Sequence, residues 1–221
     1  MLSVNNLSVS IASANILDGV ALEVRPGTLT GLMGRNGAGK TTFMRSVMGL
    51  IPLQTGVINF DHVDLAPKPA HIRAGLGIGY MPEDRRLVPE LTVEENVMVP
   101  AWACKLDDIE TRLAAIYKLM PEVEGFAGRK AMQLSGGQQK LVALARALVT
   151  GTQLVLLDEP FEGVAPALAR RLVEVLSRLK NQGLSVLLSE SDSTHSEDLI
   201  DDLYVIERGR VEKSAGEEIG G

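Results

Sequence analysis

Apolar and polar positions change their spacing along the chain, and each spacing predicts a different element. Val20, Leu22 and Val24 alternate with polar or small residues, which is the period of a half-buried strand. Near the other end, an apolar run at 204–206 is followed by a glycine-containing turn at 208–210, which predicts a small hairpin. We therefore expect the fold to begin with antiparallel strands and to end with a hairpin.

Between these ends, short apolar runs are followed by helical periodicities. The runs at Leu29–Met33 and 154–157 precede expected helices over 41–50 and 166–180. Two more runs, at 185–188 and 203–206, predict further buried strands. Repeated strand–helix units are typical of an α/β fold whose mainly parallel sheet is covered by helices on both faces.

Strand signals disappear between 92 and 150. Thr92 followed by Glu95 fits a capping box at a helix start, and Asp107 or Asp108 can begin a second helix. Apolar residues at helical spacing mark the second and third helices: Ile109, Leu113, Ile116 and Met120, then Leu141, Leu144, Ala145 and Leu148. We expect 1–91 and 151–221 to form the α/β core and 92–150 to form an inserted helical subdomain.

Composition narrows the class of protein. The chain has 221 residues, 28 acidic and 22 basic, with a net charge of −6, which argues against a general polyanion-binding surface. The single Cys104 cannot form an intramolecular disulfide, which suits a reducing compartment. No run approaches the roughly 18 apolar residues of a membrane span, and no signal pattern opens the chain. We expect a cytosolic protein, or one that reaches a membrane only through a partner.

A glycine-rich segment at 34–42, here called the P-loop, matches G-x-x-x-x-G-K-[ST]. Its residues are Gly34, Arg35, Asn36, Gly37, Ala38, Gly39, Lys40, Thr41 and Thr42. Glycines let consecutive backbone N–H groups curve around a phosphate, and the helix that follows adds its positive end. Lys40 is expected to reach the β- and γ-phosphates, and Thr41 to bind Mg²⁺. An ordinary glycine-rich turn is the alternative, but the strand before the motif and the helix after it favour a nucleotide site.

Two carboxylates, Asp158 and Glu159, follow the continuous apolar run at 154–157. Open parallel sheets bind ligands at the carboxyl ends of their strands. A Mg²⁺–phosphate site uses one carboxylate for the metal and gains from another that orients or deprotonates water. Asp158 fits the first role and Glu159 the second, whereas an acidic pair that merely caps a loop is the alternative.

A second glycine-rich segment, Leu-Ser-Gly-Gly-Gln at 134–138, immediately precedes the third predicted helix. Taken alone, Ser135 is most simply an N-cap after a tight turn. Taken with the P-loop before it and the apolar-Asp-Glu run after it, this signature segment resembles the ATP-binding cassette family of transport ATPases. The resemblance covers nearly the whole chain and implies a P-loop NTPase fold.

The resemblance implies a division of labour between two sites. Family cassettes act as head-to-tail dimers, in which each ATP lies between one subunit's P-loop and the other subunit's signature segment. The P-loop, Asp158 and Glu159 would then serve this chain's own ATP. The residues that would serve the partner's ATP are Ser135, Gly136, Gly137 and Gln138. ATP-driven closure of the dimer would drive integral-membrane permease subunits, which segment 80–105, with Trp102, is expected to touch from the cytoplasmic face.

A narrower similarity points to one branch of the family. Residues 79–83, 91–96 and 162–166 are similar to cassettes of branched-chain amino-acid and urea importers, which receive their solute indirectly from a periplasmic-type solute-binding protein. Glu83 stands where most cassettes have Gln and would offer an oxygen to Mg²⁺. Ala165 replaces a usual Asp, as it does in that branch.

Two departures from the family pattern affect the chain's own ATP site. Ile11 stands where an aromatic residue stacks on adenine, so we hypothesise that GTP competes well with ATP. Ser191 stands where the family has His or Gln, and its hydroxyl is shorter than an imidazole. His195 is four residues further on, but we expect it to be exposed rather than to substitute. In a heterodimer, the partner's ATP is then expected to turn over faster.

Two other classes of function compete with an importer ATPase. A low-turnover clamp that uses ATP to hold a protein complex together is favoured by Ser191 and opposed by Glu159. A soluble cassette acting on DNA or ribosomes is disfavoured by the acidic net charge, so we expect no nucleic-acid partner.

Overall fold

The computed structural model describes residues 1–214. The strands are β1 (Leu2–Ile11), β2 (Ala14–Val24), β3 (Leu29–Met33), β4 (Thr55–Phe60), β5 (Val63–Asp64), β6 (Ile78–Met81), β7 (Leu154–Asp158), β8 (Ser185–Glu190), β9 (Asp202–Glu207) and β10 (Arg210–Lys213). The helices are α1 (Lys40–Val47), α2 (Ala70–Gly75), α3 (Val93–Ala103), α4 (Ile109–Leu119), α5 (Pro121–Glu124), α6 (Gly136–Thr150) and α7 (Pro166–Asn181).

The strands form two sheets. An antiparallel sheet has the order β2-β1-β4-β5, and a six-stranded sheet has the order β10-β9-β3-β8-β7-β6. All pairs in the second sheet are parallel except β9 with the C-terminal β10. The predicted α/β fold, with antiparallel N-terminal strands and a mainly parallel sheet, is confirmed.

The mainly parallel sheet is buried on both faces because its strands are continuously apolar. On β7, Leu154 and Leu156 pack towards the antiparallel sheet and α1. Val155 and Leu157 point the other way, into a cluster built mainly by α3, α6 and α7. Alternate side chains of one strand thus feed two cores, and the carboxyl end of β7 is held rigidly between them.

Helices alone fill the stretch from α3 to α6. The predicted capping box is present at α3, where Thr92 Oγ1 accepts from the Glu95 N–H at 3.1 Å and the Glu95 carboxylate accepts from the Thr92 N–H at 2.7 Å. Helix α6 packs on β6 as well as on α3, and a Cβ at Gly79 would lie 2.1 Å from the Ala147 carbonyl oxygen. Because α6 packs on the sheet as well as on the other helices, the division into 1–91 with 151–221 and 92–150 stays a prediction. Residues 215–221 of the predicted core lie outside the described residues.

The structure differs from the sequence expectations in several places. The helix expected over 41–50 ends at Val47. Strand β9 is half-buried rather than fully buried, because it lies next to the edge strand β10. Strands β1, β4, β5 and β6 and helices α2 and α5 were not predicted. The buried Leu2, Val4 and Leu7 of β1 alternate only imperfectly along that strand. Within residues 1–214, no helix is long and apolar enough to cross a membrane.

Candidate nucleotide site

The P-loop connects β3 to α1 at the carboxyl edge of the parallel sheet. The Gly34 N–H donates to the Glu190 carbonyl at 3.1 Å, and a Cβ on Gly34 would lie 2.4 Å from the Ile206 carbonyl oxygen. Gly39 has a φ of 116° and caps α1 without a side-chain hydrogen bond. The first N–H groups of α1 therefore have no side-chain cap, which suits an anion at the helix start.

Lys40 lies inside the P-loop with only 4% of its surface exposed. Its Nζ is 3.0 Å from Glu159 Oε1, donates to the Arg35 carbonyl at 3.2 Å and also donates to the Gly34 carbonyl. A buried ammonium needs such acceptors. Lys40 and Glu159, which the sequence placed in one site, are therefore in direct contact.

Asp158 ends β7 and is fully buried. Its Oδ1 accepts from Thr41 Oγ1 at 3.2 Å and from Ser189 Oγ at 2.8 Å, and its Oδ2 accepts from the Tyr80 hydroxyl at 3.3 Å. Burial raises the pKa of Asp158, and these three hydrogen bonds lower it. Tyr80 and Ser189 were not predicted, because only the pairing of β6, β7 and β8 brings them to this carboxylate.

The donors around Asp158 fit a magnesium ion that shares its ligands with a nucleotide. Mg²⁺ is usually held by one or two carboxylates together with substrate phosphates and waters. Thr41 and Asp158 supply a hydroxyl and a carboxylate in contact. Within the described residues, no three His, Cys, Asp or Glu side chains are grouped so that they alone could hold a metal.

Glu159 follows Asp158 in a left-handed backbone conformation with a φ of 51°. This conformation is unfavourable for a residue with a Cβ and marks an over-determined turn. The Glu159 N–H donates to the Ser189 carbonyl at 3.0 Å, and the side chain is 7% exposed. The turn directs the carboxylate back towards Lys40 instead of along the strand.

Ser191, just beyond β8, contacts the same carboxylate. Its Oγ lies 3.2 and 3.3 Å from the two carboxylate oxygens of Glu159 and 2.8 Å from Asn36 Oδ1. One hydroxyl proton serves only one of these acceptors at a time. His195 is exposed, as expected, and its ring packs 5.5 Å from the ring of Phe161.

Glu83 is exposed and lines a cavity of about 510 Å³ together with Lys40, Thr41 and Glu159. Partial burial raises the pKa of Glu83, and the neighbouring carboxylates of Glu162, Asp158 and Glu159 raise it further. The clustering of negative charge suits a cation, because a divalent ion would relieve the repulsion.

Ile11 and Ile16 lie differently with respect to this cavity. Ile11 is at the end of β1, pairs with Ala14 in the β1–β2 turn and is 44% exposed. Ile16, which the sequence did not single out, lines the cavity itself. A Cβ on Gly39 would be 3.3 Å from the Ile16 carbonyl oxygen, so β2 runs directly along the P-loop. The close approach of β2 to the P-loop depends on tertiary packing, so no sequence motif predicts it.

The signature segment lies outside the P-loop cavity. Ser135 and Gln138 form a capping box at the start of α6, and Ser135 and Gly136 are exposed. Ser135, Gly136 and Gly137 line a separate cavity of about 720 Å³, to which Glu83 also contributes. The structure therefore does not bring Ser135, Gly136, Gly137 or Gln138 together with the P-loop of the same chain.

Comparison with known proteins agrees with this geometry. A model of the ABC transporter family matches residues 17–162. The chain belongs to the ABC transporter family. The predicted family is confirmed, and this cassette is an ATP-binding ATPase subunit.

Individual relatives of the cassette include proteins named for different transport tasks. The high-affinity branched-chain amino acid transport ATP-binding protein BraG of Pseudomonas aeruginosa is 32% identical over 211 residues, covering 96% of this chain and 91% of that protein. The lipopolysaccharide export system ATP-binding protein LptB of Escherichia coli K12 is 32% identical over 212 residues, covering 95% and 88%. A crystal structure of a nucleotide-free ATP-binding cassette from an ABC transporter matches with a TM-score of 0.85 and 29% identity, covering 99% of this chain and 92% of that one.

Proposed function

We propose that this cassette hydrolyses ATP to energise an importer of branched-chain amino acids or a related amide or amino-acid solute. The observation that carries the proposal is the contact of Lys40, Thr41, Asp158 and Glu159 at one sheet edge. The solute class is supported by the similarity to BraG, whereas the similarity to LptB at the same identity supports export as an alternative direction.

The residues divide the chemistry between binding and hydrolysis. The P-loop amides and the Lys40 ammonium would bind the phosphate tail, and Thr41 and Asp158 would hold Mg²⁺, which would supply charge neutralisation on the phosphates. Glu83 adds a further oxygen on the same side of the cavity. Glu159 orients the attacking water and accepts its proton, and Ser191 holds the Glu159 carboxylate by a hydrogen bond.

A second cassette, identical or different, completes each ATP site in this proposal. Ser135 and Gly136 of the signature segment are exposed and, with Gly137, line their own cavity. The Ser135 hydroxyl proton and the amides of the two glycines are therefore available to a nucleotide on another subunit, whereas the Ser135 and Gln138 amides are used in the capping box. ATP between the two subunits closes the dimer, and hydrolysis allows it to open. The proposal assigns Ile11 to the adenine end of the chain's own site, where its side chain would offer no aromatic face to stack on the base.

Integral-membrane permease subunits are the proposed receivers of this motion, with the cassette on the cytoplasmic face of the membrane. Trp102 is 47% exposed at the end of α3, and Val88 is 44% exposed in the same 80–105 segment. Exposed apolar residues mark a protein contact where they form a contiguous patch, and the proposal takes these two residues as parts of such a patch. A periplasmic-type solute-binding protein acts only indirectly, through the permease.

A transport assay on the purified complex tests both the activity and its direction. The complex that co-purifies with this chain from membranes is placed in vesicles with its cassettes facing the bath, where ATP is added, and with the solute-binding protein enclosed in the lumen. Import then moves labelled leucine from the lumen to the bath, and export moves solute the other way. We expect Lys40→Ala to abolish ATP-dependent movement, whereas Lys118→Ala, at an exposed lysine on α4, leaves it unchanged. Leucine movement that does not depend on ATP would overturn the proposal.

A low-turnover ATP clamp is the second candidate, because Ser191 provides no imidazole beside Glu159. Steady-state phosphate release by the same complex separates the two candidates. Sustained release that rises with transported solute favours the importer, whereas a single burst that matches the amount of complex favours the clamp.

A further inference from the structure

Lys140 connects the signature helix to the turn that carries Glu159. It lies in α6, five residues after Ser135, and is 6% exposed. Its Nζ donates to the Glu159 main-chain carbonyl at 3.0 Å and also to the Glu162 carbonyl. A buried ammonium is stable only where its protons find acceptors, and here two main-chain oxygens of one turn receive them.

The turn at 159–162 is held from two directions. Strand β8 supplies two contacts, since the Ser189 carbonyl accepts from the Glu159 N–H at 3.0 Å and Glu190 Oε1 accepts from the Phe161 N–H at 2.9 Å. Helix α6 supplies the Lys140 contacts to the carbonyl side. Together these bonds favour the left-handed φ of 51° at Glu159, a conformation that persists only where its surroundings impose it.

We propose that Lys140 is a positioning residue for hydrolysis: its ammonium fixes the carbonyls of Glu159 and Glu162, and thereby the direction of the Glu159 carboxylate. This inference rests on the proposed role of Glu159 in orienting water. Lys140 itself lies on the main-chain side of the turn, whereas Lys40 contacts the carboxylate. Loss of the Lys140 ammonium therefore disturbs the aim of Glu159 and leaves the P-loop amides intact.

Lys140 acts through its two carbonyl contacts. Burial lowers the pKa of Lys140 and Arg85 adds to the lowering, whereas the neighbouring carboxylates of Glu190, Glu162 and Glu159 oppose it. Methionine at this position would match the length of the side chain and donate no proton. Arginine would keep the charge and several donors, so it is the conservative variant.

Lys140→Met, Lys140→Arg and Lys180→Met in the full chain test the proposal. Lys180 is the matched control, because its Nζ also donates to a carbonyl, of Leu199 at 2.9 Å, and pairs with Asp201 at 2.7 Å, away from the nucleotide cavity. Mg-ATP binding is measured by calorimetry, phosphate release in the purified complex gives kcat, and the melting temperature reports folding.

We expect Lys140→Met to lower kcat by about 100-fold, the scale of a 1 Å misplacement of a catalytic group, while the Kd for Mg-ATP changes by less than about threefold. Lys140→Arg is expected to recover most of kcat, and Lys180→Met to keep it. Equal losses of kcat and ATP affinity in Lys140→Met would overturn the inference. It would also be overturned if Lys180→Met lost as much kcat as Lys140→Met at an equal fall in melting temperature. If Lys140→Met does not fold, Lys140→Gln, which keeps an amide donor, is judged by the same criteria. An unmodified complex that releases no phosphate refutes the proposed function instead.

Discussion

The P-loop and the signature segment are both glycine-rich helix starts, yet their surroundings are opposite. At the P-loop, Lys40, Asp158 and Glu159 are buried and bonded to residues from other strands. At the signature segment, Ser135 is exposed and its capping partner is Gln138 of the same helix. In the proposed composite ATP site, the P-loop half is assembled within the chain, whereas the signature half presents donors outward. Mutations in the two halves are therefore expected to have different effects.

Glu159→Gln, in the P-loop half, is expected to cause the largest loss of kcat among these changes. The amide keeps the size of the side chain and loses the basic oxygen, so kcat should fall by about 1,000-fold, within the range for removal of a general base. Calorimetric binding of Mg-ATP should remain, since the P-loop amides are untouched. Glu174→Gln, on an exposed part of α7, is the control for phosphate release. Retention of kcat in Glu159→Gln would show that another group activates the water.

The free energy of unfolding is expected to depend on pH through Glu190, beside the P-loop half. Burial raises the pKa of Glu190 to about 7. A carboxyl with a raised pKa in the folded state contributes stability that is full below its ordinary pKa and is lost as pH rises through 7. From pH 5 to 8, this group should lower the free energy of unfolding by on the order of 2 to 3 kcal/mol. Urea unfolding of nucleotide-free protein at both pH values, with Glu190→Gln and the exposed Glu174→Gln compared, measures the effect. An identical pH dependence in all three proteins would contradict it.

Ser135→Ala tests the contribution of the signature segment to turnover in the assembled complex. It removes a helix cap, which costs about 1 kcal/mol of stability, and one donor that would face the partner's nucleotide. Phosphate release by the assembled complex should fall by about tenfold, the loss of about one charge-assisted hydrogen bond. Mg-ATP binding by the separate chain should not change. Thr92→Ala removes the same kind of capping box from α3, so its melting temperature shows how much stability a lost cap costs. If Ser135→Ala loses turnover only at temperatures where the protein unfolds, the effect is assigned to folding.

The difference between the halves also explains what the sequence predicts. The P-loop, Asp158 and the strand–helix order are predictable because phosphate binding and burial demand particular residue types at short spacings. The site roles of Ile11, Glu83 and Ser191 stay predictions. The contacts of Tyr80, Ser189 and Lys140 were not predicted, since each joins elements far apart in the chain. The left-handed turn at Glu159 likewise arises from contacts with β8 and α6, and no local glycine announces it.

Ser191→Ala is expected to have the smallest effect on kcat of these changes. It tests the hydrogen bond between Ser191 and Glu159 in the P-loop half. The hydroxyl lies 3.2 and 3.3 Å from the carboxylate oxygens of Glu159, which Lys40 and the strained turn already restrain. Loss of one neutral hydrogen bond, worth about 1 kcal/mol, should lower kcat by roughly threefold to fivefold with the Kd for Mg-ATP unchanged. Ser193→Ala, at a half-buried serine two residues further on the same loop, controls for loop effects. A loss as large as that of Glu159→Gln would mean that Ser191, rather than the turn, sets the position of the carboxylate.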